Sequence, residues 1–157
     1  MRVDYRAKAP EAVRGMLRIE GAVHASTLEP ALLELVKMRA SQINGCAFCL
    51  DMHSKDARAL GETEQRLHLL AAWHEAPVYT DRERAALAWC ESLTRLPDTG
   101  APDADYRPLT ELFSEEEIAA LTFAVVAINA WNRLAVGLRS PVGDYVSPHG
   151  PAVNTAG

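Results

Sequence analysis

The sequence predicts an all-α fold, a helical bundle, and the placement of proline is the first observation in its favour. The nine prolines leave three long proline-free stretches, at 31–76, 78–96 and 109–140. Apolar residues recur at helical spacing in these stretches, whereas few segments alternate polar and apolar residues as half-buried strands do. Two capping boxes, which begin at Thr80 and Ser114 and place Glu three residues later, are typical helix starts.

Four helices are predicted in the first half of the chain. Proline is tolerated in the first turn of a helix, so the first two helices begin at Pro10 and Pro30. The pair Asn44-Gly45 is a natural C-cap or turn and ends the second helix. The four predicted helices span Pro10 to about Ala25, Pro30 to Asn44-Gly45, Cys46 to Gly61, and about Thr63 to Glu75, before Pro77.

Two longer helices and two irregular segments are predicted in the second half. The fifth helix continues from its capping box through Leu93, and residues 97–108, with three prolines and a glycine, are predicted to form a loop. The last helix runs from Ser114 to about Arg139 and is apolar nearly all round, as a central or intersubunit helix is. Residues 140–157 are rich in proline and glycine and are expected to be an arm or partly disordered.

Size and charge restrict the classes of function. Residues 1–157 make a single domain, with a core at about 15–140, that is large enough to fold without disulfides. The net charge of −5 argues against a nucleic-acid partner and against binding to an anionic membrane. Residues 1–17 lack the apolar segment of a secretory signal, so we expect a cytoplasmic protein. The last helix carries two asparagines and an arginine, which would be costly in lipid, so no membrane span is expected.

The residues with the clearest chemical meaning lie between Glu34 and His53. Cys46 and Cys49 are three positions apart and His53 follows Cys49 by four, so on one helix all three lie along one face. Two thiols beside an imidazole favour thiol chemistry assisted by a base. Cys46 also lies in the first turn of its helix, where unpaired N–H groups and the helix dipole lower the pKa of a thiol.

Glu34 is the candidate acid of this group. If the second and third helices pack as a hairpin, its side chain can reach the cysteines and the imidazole. Because its sequence neighbours are apolar, we expect a partly desolvated carboxyl with a raised pKa, able to exchange protons near neutral pH. The alternative is a solvated carboxylate, or one paired with Lys37 or Arg39.

Other interpretations of the cysteines remain open at this point. Cys46 and Cys49 could be two buried core thiols, or they could join His53 and Glu34 as four zinc ligands. Cys90 has no reactive neighbour in the sequence and is predicted to be a structural thiol. The other four histidines, at 24, 68, 74 and 149, have no phased partner and are expected to lie outside the chemistry.

The motif from residue 34 to 53, Glu-x11-Cys-x2-Cys-x3-His, resembles the signature of the AhpD-like alkylhydroperoxidases in the carboxymuconolactone decarboxylase superfamily. Residues 80–87 resemble the helix that follows the active-site hairpin of that family, and residues 128–134 resemble its C-terminal helix. The resemblance covers about residues 15–140. It implies an all-helical fold with an active-site helical hairpin, and subunits that assemble as a homotrimer or homohexamer.

The resemblance also implies an activity and a role for each residue. In the implied peroxidase or disulfide reductase cycle, Cys49 attacks the peroxide substrate after losing its proton through His53 and Glu34. Cys46 then forms a disulfide with Cys49, which an external dithiol reduces. The cycle needs neither a metal nor a bound organic cofactor. The helix-start argument differs from the resemblance in one respect, because it favours Cys46 as the thiol with the lower pKa.

The sequence departs from the family pattern at Phe48, where some members carry a second histidine between the cysteines. The proton relay here would therefore run through His53, Glu34 and water. Our interpretation is a thiol-dependent peroxidase or disulfide oxidoreductase. The alternatives are a metal-binding module, a redox-sensing oligomer, or a lyase of the superfamily's other branch, whose decarboxylases lack the cysteine pair.

Overall fold

Helices account for the regular structure of this protein. The computed structural model describes residues 1–150, and in this part of the chain it contains no strand, which confirms the all-α prediction. The helices of the described residues are α1 (Tyr5–Lys8), α2 (Pro10–His24), α3 (Pro30–Asn44), α4 (Ala47–Ala59), α5 (Glu64–Leu69), α6 (Asp81–Thr94), α7 (Leu96–Thr99), α8 (Asp103–Leu112) and α9 (Glu115–Leu138).

Short-range sequence signals set most of the helix ends. Pro30 occupies the first turn of α3, and Gly45 ends that helix in the left-handed region, at φ 65°. The next residue, Cys46, is the N-cap of α4, so a turn of two residues joins α3 and α4 into the expected hairpin. Both predicted capping boxes are present, at Thr80 before α6 and at Ser114 before α9.

Helix α3 is the centre of the fold. Every residue from 32 to 41 is buried, because α4, α6 and α9 all pack against this helix. One apolar cluster lies between α3, α6 and α9 and includes Leu33, Val36, Ala86, Leu121 and Ile128. A second cluster lies on the other side of α3 and includes Leu35, Met38, Leu67, Leu70 and Leu87. The charged residues of α3 are buried with it and must therefore be paired.

Helix α9 packs as a core helix, as the sequence suggested. It lies against α2, α3 and α6, and its side chains at Leu121, Val125 and Ile128 are buried in the first apolar cluster. Among the helices of residues 1–150 it is also the one long and apolar enough to cross a membrane, with a mean hydropathy of 1.4. Core helices are commonly as long and as apolar as this. The buried Asn132 in the second half of α9 is expected of a core helix rather than of a membrane-spanning one.

The predicted loop at 97–108 is wrong, because this segment contains α7 and most of α8. Pro97 lies in the first turn of α7 and Pro102 is the N-cap of α8, two positions where proline starts a helix rather than interrupting it. Pro108 lies inside α8, and the helix persists because Leu109 is fully buried in the core.

Two other expectations need adjustment. The predicted fourth helix is shorter, since α5 ends at Leu69 and continues only as a single 3₁₀ turn, Leu70–Ala72. The short helix α1 was not anticipated. Residues 140–150 form an arm without regular helix, part of which lies against α4, while the tail expected beyond residue 150 falls outside the described residues.

Candidate active site

The two cysteines of the motif meet at the start of α4. The Sγ of Cys46 accepts a hydrogen bond from the backbone N–H of Cys49 at 3.3 Å, so this thiol caps its own helix. The largest influence on the pKa of Cys46 is the hydrogen bond from the Cys49 thiol. Together with hydrogen bonds from nearby backbone N–H groups, it outweighs the effect of burial and lowers the pKa of Cys46 to about 7. This agrees with the lowered pKa that a helix start predicts.

The surroundings of Cys49 have the opposite effect on its pKa. Its thiol donates to Cys46, and this hydrogen bond, burial and the charge on Cys46 raise the pKa of Cys49 above its usual range. Amide and hydroxyl groups of Asn132 and Ser41 lie beside the pair and are bonded to each other at 3.0 Å. The two sulfurs therefore share one proton near neutral pH, and a thiolate on Cys49 requires that proton to move to Cys46 or to another base.

Glu34 and His53 face each other across the hairpin. The Oε2 of Glu34 lies 2.7 Å from Nδ1 of His53, and both side chains are buried. The expected raised pKa of Glu34 is wrong. Burial does raise it, but the hydrogen bond with His53 and the positive charges of His53 and Lys37 together bring the pKa of Glu34 below its ordinary value.

Lys37 connects this pair to α2. Its side chain is 2% exposed, and its Nζ lies 3.1 Å from Oε2 of Glu20 and 3.8 Å from Oε1 of Glu34. The same ammonium lies 3.2 Å from Nε2 of His24, so His24 has a partner after all, although none was expected from the sequence. Glu34 is thus paired with Lys37, as one alternative held, and with His53 as well.

A cavity of about 280 Å³ gives access to this group. Cys49, His53 and Glu34 line it, whereas Cys46 lines a separate cleft of about 200 Å³, and Phe48 contributes to both. The rest of the larger cavity is mostly apolar, with walls that include Tyr5, Leu17, Met52, Trp131, Ala135 and Pro148. A small organic molecule can therefore reach the side of the site where Cys49 and His53 lie.

A second carboxylate, that of Asp56, lies beside His53. One possible ligand atom from each of Glu34, His53 and Asp56 falls within 4.8 Å of the others, and neither cysteine belongs to this group. Within the described residues, Cys46 and Cys49 therefore do not join Glu34 and His53 as four zinc ligands. The three side chains already have hydrogen-bond partners, since Glu34 pairs with His53 and the Asp56 carboxylate accepts from the hydroxyl of Tyr145 at 2.9 Å.

Sequence reasoning found the motif residues but missed their surroundings. Glu20, Asp56 and Tyr145 were not singled out, and Lys37 was considered only as an alternative partner of Glu34. The roles of these residues depend on contacts between distant parts of the chain. The run of apolar residues around Lys37 was the one available signal, because a lysine inside a buried stretch must find a carboxylate. Cys90 lies apart, in α6, with its Sγ 3.3 Å from the carbonyl oxygen of Val36.

Comparisons with known proteins place the chain in a family. The carboxymuconolactone decarboxylase family profile matches residues 10–92. The uncharacterised protein YdfG of Bacillus subtilis is 42% identical over 137 residues, which are 87% of this chain and 93% of that protein.

Solved structures agree with this assignment. A protein of unknown function from Agrobacterium tumefaciens, suggested to be the antioxidant defence protein AhpD, has a TM-score of 0.87 and 46% identity, over 92% of this chain and 99% of that one. The debrominase Bmp8 shares the fold, with a TM-score of 0.78 and 19% identity over 88% of this chain and 74% of its own. This chain therefore belongs to the carboxymuconolactone decarboxylase family and has the AhpD-like helical fold.

Proposed function

We propose that this protein is a thiol-dependent peroxidase or disulfide oxidoreductase that cycles between a dithiol and a Cys46–Cys49 disulfide. The observation that carries the proposal is the position of Cys49. It lines the same cavity as His53, one turn away on α4, and His53 is bonded to Glu34 at 2.7 Å. Family membership and the likeness to the Agrobacterium protein support the same chemistry.

The proposed reaction has two chemical steps and a reductive step. The Cys49 thiolate attacks one oxygen of the peroxide O–O bond, which breaks, and the products are a sulfenic acid on Cys49 and an alcohol. Cys46 then attacks the Cys49 sulfur, which releases water and leaves the disulfide. An external dithiol returns both cysteines to thiols and itself becomes a disulfide. Electrons and atoms balance without a metal or a bound organic cofactor.

His53 and Glu34 handle the proton in this scheme. His53 takes the proton that Cys49 must lose, and the Glu34 carboxylate, ionised because of its lowered pKa, stabilises the imidazolium that results. The imidazolium then protonates the alkoxide leaving group. Cys46, with a pKa of about 7, is about half thiolate at neutral pH and needs no base for the second step.

Reductive dehalogenation is the second candidate, and the aromatic wall of the cavity is the observation that favours it. Tyr5, Phe48, Trp131 and Tyr145 surround the space next to Cys49, which suits a small planar ring. Bmp8, which shares the fold, is a debrominase. In this reaction a carbon–bromine bond becomes carbon–hydrogen, two thiols become one disulfide, and hydrogen bromide is released.

One experiment tests the main proposal directly. The reduced protein is mixed with one equivalent of tert-butyl hydroperoxide, and its intact mass and peptide masses are measured. We expect a loss of two hydrogen atoms that maps to Cys46 and Cys49, reversal by a dithiol, and the same result for the control C90S. A protein that stays reduced contradicts the proposal, and bromide release from a brominated pyrrole with a dithiol would favour the second candidate.

Zinc and assembly are tested in the same preparation. Stoichiometric zinc that survives dialysis and blocks titration of both thiols would favour the metal-binding alternative. Activity that persists when both cysteines are replaced by serine would favour the lyase.

We also propose a cytoplasmic homotrimer or homohexamer, supported by apolar side chains at Phe123 and Val126 that α9 leaves more than half exposed. Light scattering should give three or six times the chain mass of 17.2 kDa.

A further inference from the structure

The C-terminal arm forms part of the cavity wall. Tyr145, Pro148 and His149 line the cavity that contains Cys49 and His53, although they follow these residues by about 90 positions or more in the sequence. No part of the motif predicts this contribution. The question is whether the arm only covers the site or also acts on its chemistry.

Specific contacts fix the arm to the outer side of α4. The Nζ of Lys55 donates to the carbonyl oxygen of Tyr145 at 3.0 Å and to that of Gly143 at 3.4 Å. The backbone N–H of Gly143 donates to the carboxylate of Asp51 at 3.3 Å, and Asp51 also pairs with Lys55. These contacts determine where the side chain of Tyr145 enters the cavity.

The hydroxyl of Tyr145 donates to the buried carboxylate of Asp56. It lies 3.0 and 2.9 Å from the two oxygens of Asp56, and within residues 1–150 it is the one hydrogen-bond donor to that carboxylate. Asp56 is three positions after His53 on α4, and the two groups approach within 4.8 Å. His53 therefore has two carboxylates beside it, and Glu34 is the one to which it is bonded.

We propose that Tyr145 is a positioning residue of the thiol site, which occupies the Asp56 carboxylate and so keeps His53 paired with Glu34. Without this hydroxyl, the buried carboxylate of Asp56 would have no donor and would compete for the imidazole. The arm would thus complete the site as well as cover it. The inference rests on the proposed function, because it assigns His53 as the base for Cys49.

The direction of the effect follows from geometry. In Y145F the Asp56 carboxylate lacks its donor and attracts the imidazole of His53 away from Glu34, which removes the base from the position where it accepts the proton of Cys49. The pH at which Cys49 becomes reactive should therefore rise. Besides Glu34, His53, Asp56 and Tyr145, the charged or titratable groups around the same cavity are Tyr5, Arg6, Glu20, His24, Lys37, Cys49 and His149, and all are unchanged in this variant.

The test measures how fast iodoacetamide modifies Cys49 at a series of pH values, with the modified peptide identified by mass. We expect the midpoint of this profile to rise in Y145F by about half a pH unit, a change of about threefold in reactive thiolate at a fixed pH. Y106F is the matched control, because Tyr106 packs edge-on against Trp89, away from this cavity. Thermal melting establishes that both variants are folded.

A double-mutant cycle shows whether Tyr145 affects Cys49 through Asp56 or through another group. If Tyr145 acts through Asp56, then adding Y145F to D56N should cause no further change in the profile. An unchanged or acid-shifted midpoint in Y145F, or a full additional shift in Y145F/D56N, would overturn the inference. Failure of the proposed function gives a different result, because it appears as a wild-type protein that forms no Cys46–Cys49 disulfide with peroxide.

Discussion

The α3–α4 turn and the middle of α6 both hold buried thiols, yet the two regions give them opposite properties. Cys46, Cys49 and Cys90 are all at most 1% exposed. Burial raises the pKa of Cys90 to about 12, because few groups near it stabilise a thiolate. At the turn, the partner thiol and the free N–H groups of the α4 terminus lower the pKa of Cys46 to about 7.

This difference shows that burial does not determine what a cysteine can do. What separates the regions is a second sulfur within hydrogen-bond reach, a helix N-terminus and a cavity that opens next to Cys49. Cys90 has instead the carbonyl oxygen of Val36 and the hydroxyl of Thr94 as its neighbours. We therefore expect reactive thiols at the turn and a packing role for Cys90 in α6.

The largest expected effect is that of C49S. Without this sulfur no sulfenic acid forms, so dithiol-dependent peroxide turnover should fall by about 10³-fold or more. The matched variant C90S removes an equally buried sulfur from the other region and should keep its rate within about twofold. Steady-state peroxide consumption measures both, and a large loss in C90S would break the comparison.

The variant C46S separates the reaction with peroxide from the formation of the disulfide. Cys49 can still react once with peroxide, but no resolving sulfur remains, so a sulfenic acid or a mixed disulfide should accumulate at one equivalent per chain. Trapping with dimedone and peptide mass analysis would detect it on Cys49. If the adduct is found on Cys46 in C49S instead, the roles of the two cysteines are reversed.

The sequence predicted the hairpin well because its signals are local. The Asn44-Gly45 turn and the four-residue spacing from Cys49 to His53 are sufficient to align Glu34 with the imidazole. Tyr145 could not be found in this way, since its contact with Asp56 joins residues 89 positions apart.

The error over the Glu34 pKa has a related cause. Its apolar sequence neighbours suggested desolvation alone, whereas folding brings the positive charges of His53 and Lys37 against the carboxylate. Similarly, Pro102 and Pro108 suggested a loop because the sequence does not reveal how fully the core buries Leu109.

A smaller effect is expected for E34Q, because in the proposed cycle Glu34 acts through His53 and not on the peroxide. The amide cannot balance the imidazolium charge, so single-turnover oxidation should slow by about tenfold, or 1.4 kcal/mol in activation free energy, with an altered pH–rate profile. E75Q, which changes an exposed glutamate, is the control. An unchanged rate and pH profile in E34Q would remove Glu34 from the mechanism.

The smallest effect concerns stability and follows from the lowered pKa of Cys46. The folded pKa of about 7 lies below the ordinary value of 9.0, so the folded state releases its proton at lower pH than the unfolded state. The contribution of this thiolate to stability is therefore complete above pH 9.0 and is lost as the pH falls through about 7.

Urea unfolding of the reduced protein at several pH values should show this dependence. The stability gap between the wild type and C46S should widen by about 2 kcal/mol as the pH rises from about 6 to 9. The gap between the wild type and C90S should not widen, because the thiol of Cys90 stays protonated over this range. If both gaps behave alike, the two regions do not differ in the way their thiols are stabilised. Thiolate absorbance then decides which sulfur ionises, since C46S should abolish a titration near pH 7 that C90S retains.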